Sequence, residues 1–434
     1  MIANNSEDLA AFGVAVRSGD VPRVQELLAL PHVRAAINEP SFDFGQRAAH
    51  VAAGSGNEAL LAVLIDAGAD VNLRSDWQNG PYTVLDSANE QTARYLLSRG
   101  ATLTPNVAAR LGWEDRLRAM LDADASRVHE RGGDGQQPLH QASTVAIADL
   151  LLERGADIDA RCIDHKSTPA QYALVDRPDV CRHLIARGAT VDIFMPARLG
   201  DVALAERLLN ADPTSIDARI RRDGYALVPP FNIYCWTLGF GMSPHDVALK
   251  YEHHDVVAVL EARSPIRVRL FNAVLAGDEA AAMALLDEQP NLIATFGPEE
   301  HGHLAHAIFH ERYDAAALML RLGFDPSAPG VDGGSALHAA CWVGNVAMVE
   351  QILARGGVSV DAPDPTHKSP PLGWAAFGSV QRRANGADYG GVIDRLVAAG
   401  ANIGATGNRH GRTLLQMADG NPAVQATLRR HGAV

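Results

Sequence analysis

Gly333-Gly334-Ser335-Ala336-Leu337-His338-Ala339-Ala340, a break at Gly344-Asn345, then Val349, Ile352 and Leu353 closed by Gly356: this stretch decides how the 434-residue chain is read. The same phrase recurs in worn form over Gly45–Gly68, Gly80–Gly100, Gly135–Gly155, Lys166–Gly188 and Lys368–Gly400. A repeated unit of this size cannot bury its own apolar face and must stack on its neighbours. The repetition therefore predicts one continuous stack over residues 1–434. No long Ser/Gly-rich or Pro-rich linker interrupts it.

Each position of the phrase has a physical reading. Thr168-Pro169 puts a hydroxyl at a helix N-cap and proline at the first helical position, where a missing N–H costs nothing. Small and branched residues such as Leu139, Ala142, Leu337 and Ala340 give a short helix that packs closely. Gly-Asn or Gly-Asp then breaks it, at 19–20, 56–57, 200–201, 277–278 and 344–345. A second helix follows with apolar residues at i, i+3 and i+4: Leu61, Leu64 and Ile65, or Val349, Ile352 and Leu353. Gly68, Gly100, Gly155, Gly188, Gly356 and Gly400 fall just past its end, where a left-handed cap favours glycine. A turn such as Asp157-Ile158-Asp159 leads onward.

This phrase resembles the ankyrin repeat, a helix–turn–helix plus β-turn of about 33 residues. The glycine spacings agree, at 68 to 100, 155 to 188 and 323 to 356. Units around Gly112-Trp113, Gly200-Asp201 and Gly277-Asp278 keep the turn and second helix but lack the Thr-Pro opening. They run on through Ala123-Asp124, Asp212-Pro213 and Gln289-Pro290. The resemblance implies an all-α solenoid of roughly twelve helix–turn–helix units with β-turn fingers. The string is also similar to large bacterial ankyrin-repeat proteins of unassigned activity. Such a likeness speaks for fold and is nearly silent on function.

Composition narrows the function classes. Hydrophobic residues make up 47% and charged residues 21%, as in a well-packed globular chain. The net charge of −13 argues against a nucleic-acid-binding surface, which is normally basic. No segment reaches the ~18 apolar residues of a membrane span. The start lacks the basic and apolar blocks of a secretory signal. Cys162, Cys181, Cys235 and Cys341 form no CxxC pair, which fits a reduced cytoplasmic protein. Lysine occurs only at 166, 250 and 368 and alanine is abundant, pointing to a GC-rich bacterial genome. Polar residues near both ends, Asn4, Asn5, Glu7 and Asp8, then Arg429, Arg430 and His431, suit capping units.

Three departures from the repeat draw attention. Residues 219–244 carry Tyr225, Pro229, Pro230, Phe231, Tyr234, Trp236 and Phe240, an aromatic loop or hairpin insertion in an aromatic-poor chain. Such rings serve either to plug a gap or to meet a ligand. Residues 378–390 form a second loop insertion, with Arg382, Arg383, Asp388 and Tyr389. The third departure is a set of histidines. His50, His140, His306 and His338 hold the fourth position of the phrase, where the resemblance implies hydrogen bonds between neighbouring units. His165, His367 and His410 instead fall at fingertips, and Asp164-His165-Lys166-Ser167 is echoed by Thr366-His367-Lys368-Ser369.

Catalytic signatures are missing: there is no GxSxG elbow, and Gly132-Gly133-Asp134-Gly135 leads into Pro138-Leu139-His140 rather than a phosphate-binding Lys-Ser/Thr. His306 and His310 share a helix face, but the stretch between them lacks the glutamate of a zinc-binding HExxH helix. Neither a metal nor a cofactor is expected. The sequence reads best as an intracellular scaffold holding a protein or peptide, neutral or basic in charge, in its concave groove. Trp77, Tyr82, Trp113, His165, Tyr172, Trp236, Trp342, His367 and Trp374 are the expected contacts, since aromatic anchors carry most interface energy. The alternative is a small-molecule binder or enzyme with a pocket under 219–244. Asp164, His165, His245, Asp246 and Tyr234 would then do acid–base work.

Overall fold

A computed structural model of the chain describes residues 2–220, 232–382 and 386–434. Tyr225, Pro229, Pro230 and Phe231 of the aromatic insertion, and Arg383 of the second insertion, lie outside the described residues. The fold is all-α: among the described residues there is no β-strand, only isolated bridges between Phe42 and Gln46 and between Thr406 and Thr413. Two compact units divide the chain, Met1–Arg263 and Ser264–Val434.

In the first unit the helix pairs include Ala48–Gly54 with Glu58–Asp66, Pro169–Ala173 with Pro178–Ala186, and Pro244–Lys250 with His254–Arg263. In the second, Ala336–Val343 pairs with Val346–Arg355 and Pro371–Gln381 with Tyr389–Ala398. The break between partners follows from two residues. Gly56 and Gly344 sit at φ 70 and 69, where a side chain would be strained. Asn57 and Asn345 then accept the N–H of Leu60 and Met348, each at 2.9 Å, capping the second helix. Leu61, Leu64, Val349 and Ile352 are fully buried, so truncating one costs about 2–5 kcal/mol.

Three local expectations change. The first helix of the Gly80–Gly100 unit is only a turn, although the carboxylate of Asp86 takes both the N–H and the hydroxyl of Thr83 as a helix cap would. Pro138–Gln141 is a 3-10 helix rather than an α-helix. Residues 378–381, expected in a loop, continue the helix Pro371–Gln381. Beyond it Asp388 caps the next helix through the Gly391 N–H at 2.7 Å.

The fingers between pairs turn tightly. Asp134-Gly135 and Asp332-Gly333 both have positive φ, 56 and 67 in one, 50 and 78 in the other. The bonds Gln136 N–H to Gly133 O and Gly334 N–H to Val331 O close them. These are type I′ turns, for which Asp-Gly is a favoured pair. The following fingers close through Cys162 N–H to Ser167 O (3.1 Å) and Asp364 N–H to Ser369 O (3.0 Å).

Candidate functional site

The four fingers just described and the helices behind them build two equivalent regions. Asp134, Cys162, His165, Ser167 and Tyr172 of the first unit correspond to Asp332, Asp364, His367, Ser369 and Trp374 of the second. In each, the phrase histidine lies edge-on to the aromatic ring. His140 meets Tyr172 at 5.4 Å and 79°, and His338 meets Trp374 at 5.4 Å and 70°. The fingertip histidine approaches the same ring, His165 at 6.1 Å and His367 at 6.2 Å.

The first region closes on itself. The Tyr172 hydroxyl lies 3.0 Å from His165 Nδ1 and 3.4 Å from Cys162 Sγ. His165 Nδ1 also stands 3.5 Å from Asp164 and 4.0 Å from Asp134. A third finger contributes Asn79, whose amide donates to Asp164 at 2.7 Å, and Tyr82, whose hydroxyl donates to Asp134. Burial works to lower the His165 pKa, but the hydrogen bond with Cys162 and the charges of Asp164 and Asp134 outweigh it and raise it. Burial likewise opposes ionisation of Cys162, yet His165, Tyr172 and backbone amides hold the thiol below its usual value. Burial pushes the Tyr82 and Tyr172 phenols up, so both remain neutral donors.

The second region opens into a cavity of about 440 Å³. Phe309, Trp342, Trp374 and Phe377 form its apolar wall, with Trp342 6.0 Å from Trp374, 6.1 Å from Phe377 and stacked on Phe309 at 6.4 Å. Asp332, His367, Asn408, Arg409, His410 and Arg412 give the polar rim. Trp374 is locked by its indole N–H, which donates to Asp364 at 2.9 Å. Burial alone would raise the pKa of Asp364, but the His367 and Ser369 N–H groups and this indole hold the carboxylate below its ordinary value.

The structure brings several predicted residues together and separates others. Tyr82, Asp164, His165 and Tyr172 meet in the first region, and Trp342, His367 and Trp374 meet in the second. Trp77 lies edge-on to Phe44 at 5.1 Å. Trp113 donates to Glu90 at 3.3 Å and lies under the guanidinium of Arg116. Trp236 is 67% exposed and touches Phe240 at 5.9 Å. Tyr234 is fully buried and donates to Asp192 at 2.9 Å. Asp246 caps its own helix through Ser243, while burial lowers the pKa of His245 to about 4. The inter-unit role of the phrase histidines is visible at His50 and His140. Their Nε2 atoms stand 3.2 and 3.1 Å from the carbonyls of Tyr82 and Ser167 in the next finger.

Sequence reasoning missed Asn79 and Asp134 in the first region and Phe309, Phe377, Asp332 and Arg409 in the second. A signal for two of these was present: Asp134 and Asp332 precede glycine at the same place in the phrase. Only Asp134, Asp164 and His165 offer a set of three metal-ligating atoms among the described residues, all within 4.8 Å of one another. No described helix is long and apolar enough to cross a membrane.

Residues 134–163 and 332–365 match the family described as Ankyrin repeat. The two matched stretches begin on the equivalent residues Asp134 and Asp332. No curated protein sequence is a significant match to this chain.

Proposed function

The chain is an ankyrin-repeat protein, and from that premise we propose that it is a recognition protein whose second unit grips a segment of a partner protein in the aromatic cavity. Ankyrin repeats are generally protein-interaction modules. The observation that carries the reading is the cavity of about 440 Å³ walled by Phe309, Trp342, Trp374 and Phe377. Large rigid rings lose little entropy on binding and dominate interface energetics. A rim carrying Asp332 on one hand and Arg409 and Arg412 on the other can pair with either sign of charge beside an apolar anchor. The net charge of −13 favours a partner that is neutral or basic as a whole, through long-range attraction.

A peptide library displayed on phage, panned against the full chain, tests this. Enriched sequences share an apolar or aromatic anchor and fail to bind the Phe377→Ala variant. Phe377 is 36% exposed, so its truncation spares the fold. Absence of enrichment, or binding that ignores Phe377→Ala, would falsify the proposal.

A small-molecule reading draws on the same cavity, whose volume falls within the ~300–1,000 Å³ of ligand pockets. A thermal-shift screen separates the two. A metabolite that raises the melting temperature of the wild type but not of Phe377→Ala favours the small molecule, by mass action on the folded state.

A further inference from the structure

We propose that Asp134, Asp164 and His165, in the first unit, form a binding site for one divalent transition-metal ion of the Zn2+ or Mn2+ type. This inference is independent of the recognition function assigned to the second unit.

The geometry points inward. The Oδ2 atoms of Asp164 and Asp134 face His165 Nδ1 at 3.5 and 4.0 Å, and the three residues' ligand atoms lie within 4.8 Å of one another. The other oxygen of each carboxylate is held from outside the set: Asn79 donates to Asp164 Oδ1 and Tyr82 to Asp134 Oδ1. Each carboxylate is thus oriented through one oxygen while the second faces the centre. Outer donors orient metal ligands in this way. His165 Nδ1 is 3.0 Å from the Tyr172 hydroxyl, a contact that an entering ion displaces.

The frame is rigid. Asp134 N–H donates to Gly80 O at 3.1 Å, and its carbonyl accepts from Ile163 and Asp164 at 3.0 and 3.1 Å. A Cβ on Gly80 would stand 1.9 Å from the Gly135 nitrogen, so the fingers touch backbone to backbone. Charge points the same way. Among the described residues neither carboxylate forms an ion pair with arginine or lysine; each pairs only with His165. Two carboxylates and one imidazole leave a deficit that a divalent cation fills. The side chains of Asp134 and Asp164 are 14% and 23% exposed, enough for an ion to enter.

The donor set selects the ion class. Imidazole disfavours Mg2+ and Ca2+, which take oxygen ligands. Absence of thiolate from the set disfavours Cu(I). Nitrogen with two carboxylates suits Zn2+ or Mn2+. The second unit supplies an internal control. Asp332 and His367 repeat two of the ligands, at 3.4 Å, but Thr366 stands where Asp164 does and offers no carboxylate.

The test is isothermal titration of the full, chelator-stripped chain with Zn2+ and separately with Mn2+. Crystals soaked in Mn2+ then locate the ion by anomalous scattering. The wild type is expected to bind one ion at Asp134, Asp164 and His165. Asp164→Asn should abolish that binding. Asn79→Ala, which touches no ligand atom, should weaken it by about 10–100-fold. Asp332→Asn should leave it unchanged. No uptake at millimolar metal, anomalous density only elsewhere, such as among His301, His303, His306 and His310, or equal affinity in folded Asp164→Asn each overturns the proposal. Should Asp164→Asn fail to fold, the position of the anomalous peak in the wild type decides.

Discussion

Two regions built on one plan end differently. Around Tyr172 the fingers collapse into a polar cluster with Asp134, Asp164 and His165. Around Trp374 the same fingers leave a cavity of about 440 Å³. The supporting geometry is shared: a phrase histidine edge-on at 5.4 Å, a fingertip histidine beyond 6 Å, and a hairpin closed by equivalent bonds. Two substitutions account for much of the difference. A phenol reaches the fingertip imidazole and the Cys162 sulfur, closing the first region. An indole in its place carries its only donor to Asp364 and meets Trp342 in a T-shaped contact. The scaffold sets positions, and the side chain ten residues past the start of each hairpin sets whether the space is filled or kept.

The largest expected effect comes from removing the rings. Trp374 is 6% exposed, and Trp374→Ala should cost about 3–5 kcal/mol in urea unfolding. Tyr172→Ala, at a half-buried site, should cost less. Equal losses would mean that the two rings do the same structural work, and the comparison would fail.

Acid should act next. Burial holds His140 neutral, with its pKa lowered to about 4 from 6.5, and lowers that of His338 as well. The unfolded chain binds protons to these rings more readily than the native one. Stability is therefore full above pH 6.5 and falls as pH drops toward 4, by about 3 kcal/mol for His140 at 1.36 kcal/mol per unit. His140→Gln should flatten the slope in that window, as read by urea midpoints at several pH values. An unchanged slope would show that other groups govern acid sensitivity.

Asp364 and Cys162 sharpen the comparison at smaller scale. Asp364→Ala strips the indole of Trp374 and the N–H groups of Thr366, His367 and Ser369 of their acceptor, at about 1–3 kcal/mol. Cys162→Ala removes the weaker sulfur contacts to Tyr172 and His165 and should cost less. The reverse order in thermal unfolding would contradict the assignment of Asp364 as the anchor of the open region. Smallest of all, Lys166→Gly and Lys368→Gly should each change stability by no more than about 1 kcal/mol. Both lysines sit at positive φ, 52 and 55, where glycine relieves strain but adds unfolded-state freedom. A larger loss at one site alone would show that its side chain matters beyond the turn.

The repeat was legible because its grammar is local. Gly344-Asn345 predicts a break, and the chain breaks there at φ 69 with an asparagine cap. Thr168-Pro169 predicts a helix start, and Thr168 caps Pro169–Ala173. The echo of His165 in His367 was legible too. The other members of the two regions were not, because Asp134, Asn79 and Phe309 approach from other fingers and helices, far away in sequence. Phe377 follows Trp374 by one helical turn, but nothing in a helix pattern separates a ring lining a cavity from one filling a core. Tyr234 lies in a stretch whose rings the sequence left either plugging a gap or meeting a ligand, and its burial against Phe194 and Asp192 fits the first.

The central claim is that the open region is the recognising one. Calorimetric titration of a phage-selected peptide into the wild type, Trp342→Ala and Trp113→Ala tests it most directly. The account predicts roughly 30-fold weaker binding for Trp342→Ala, as for a hot-spot ring worth about 2 kcal/mol, and no change for Trp113→Ala. Binding that survives Trp342→Ala but is lost with Trp113→Ala would place recognition outside the cavity and contradict it.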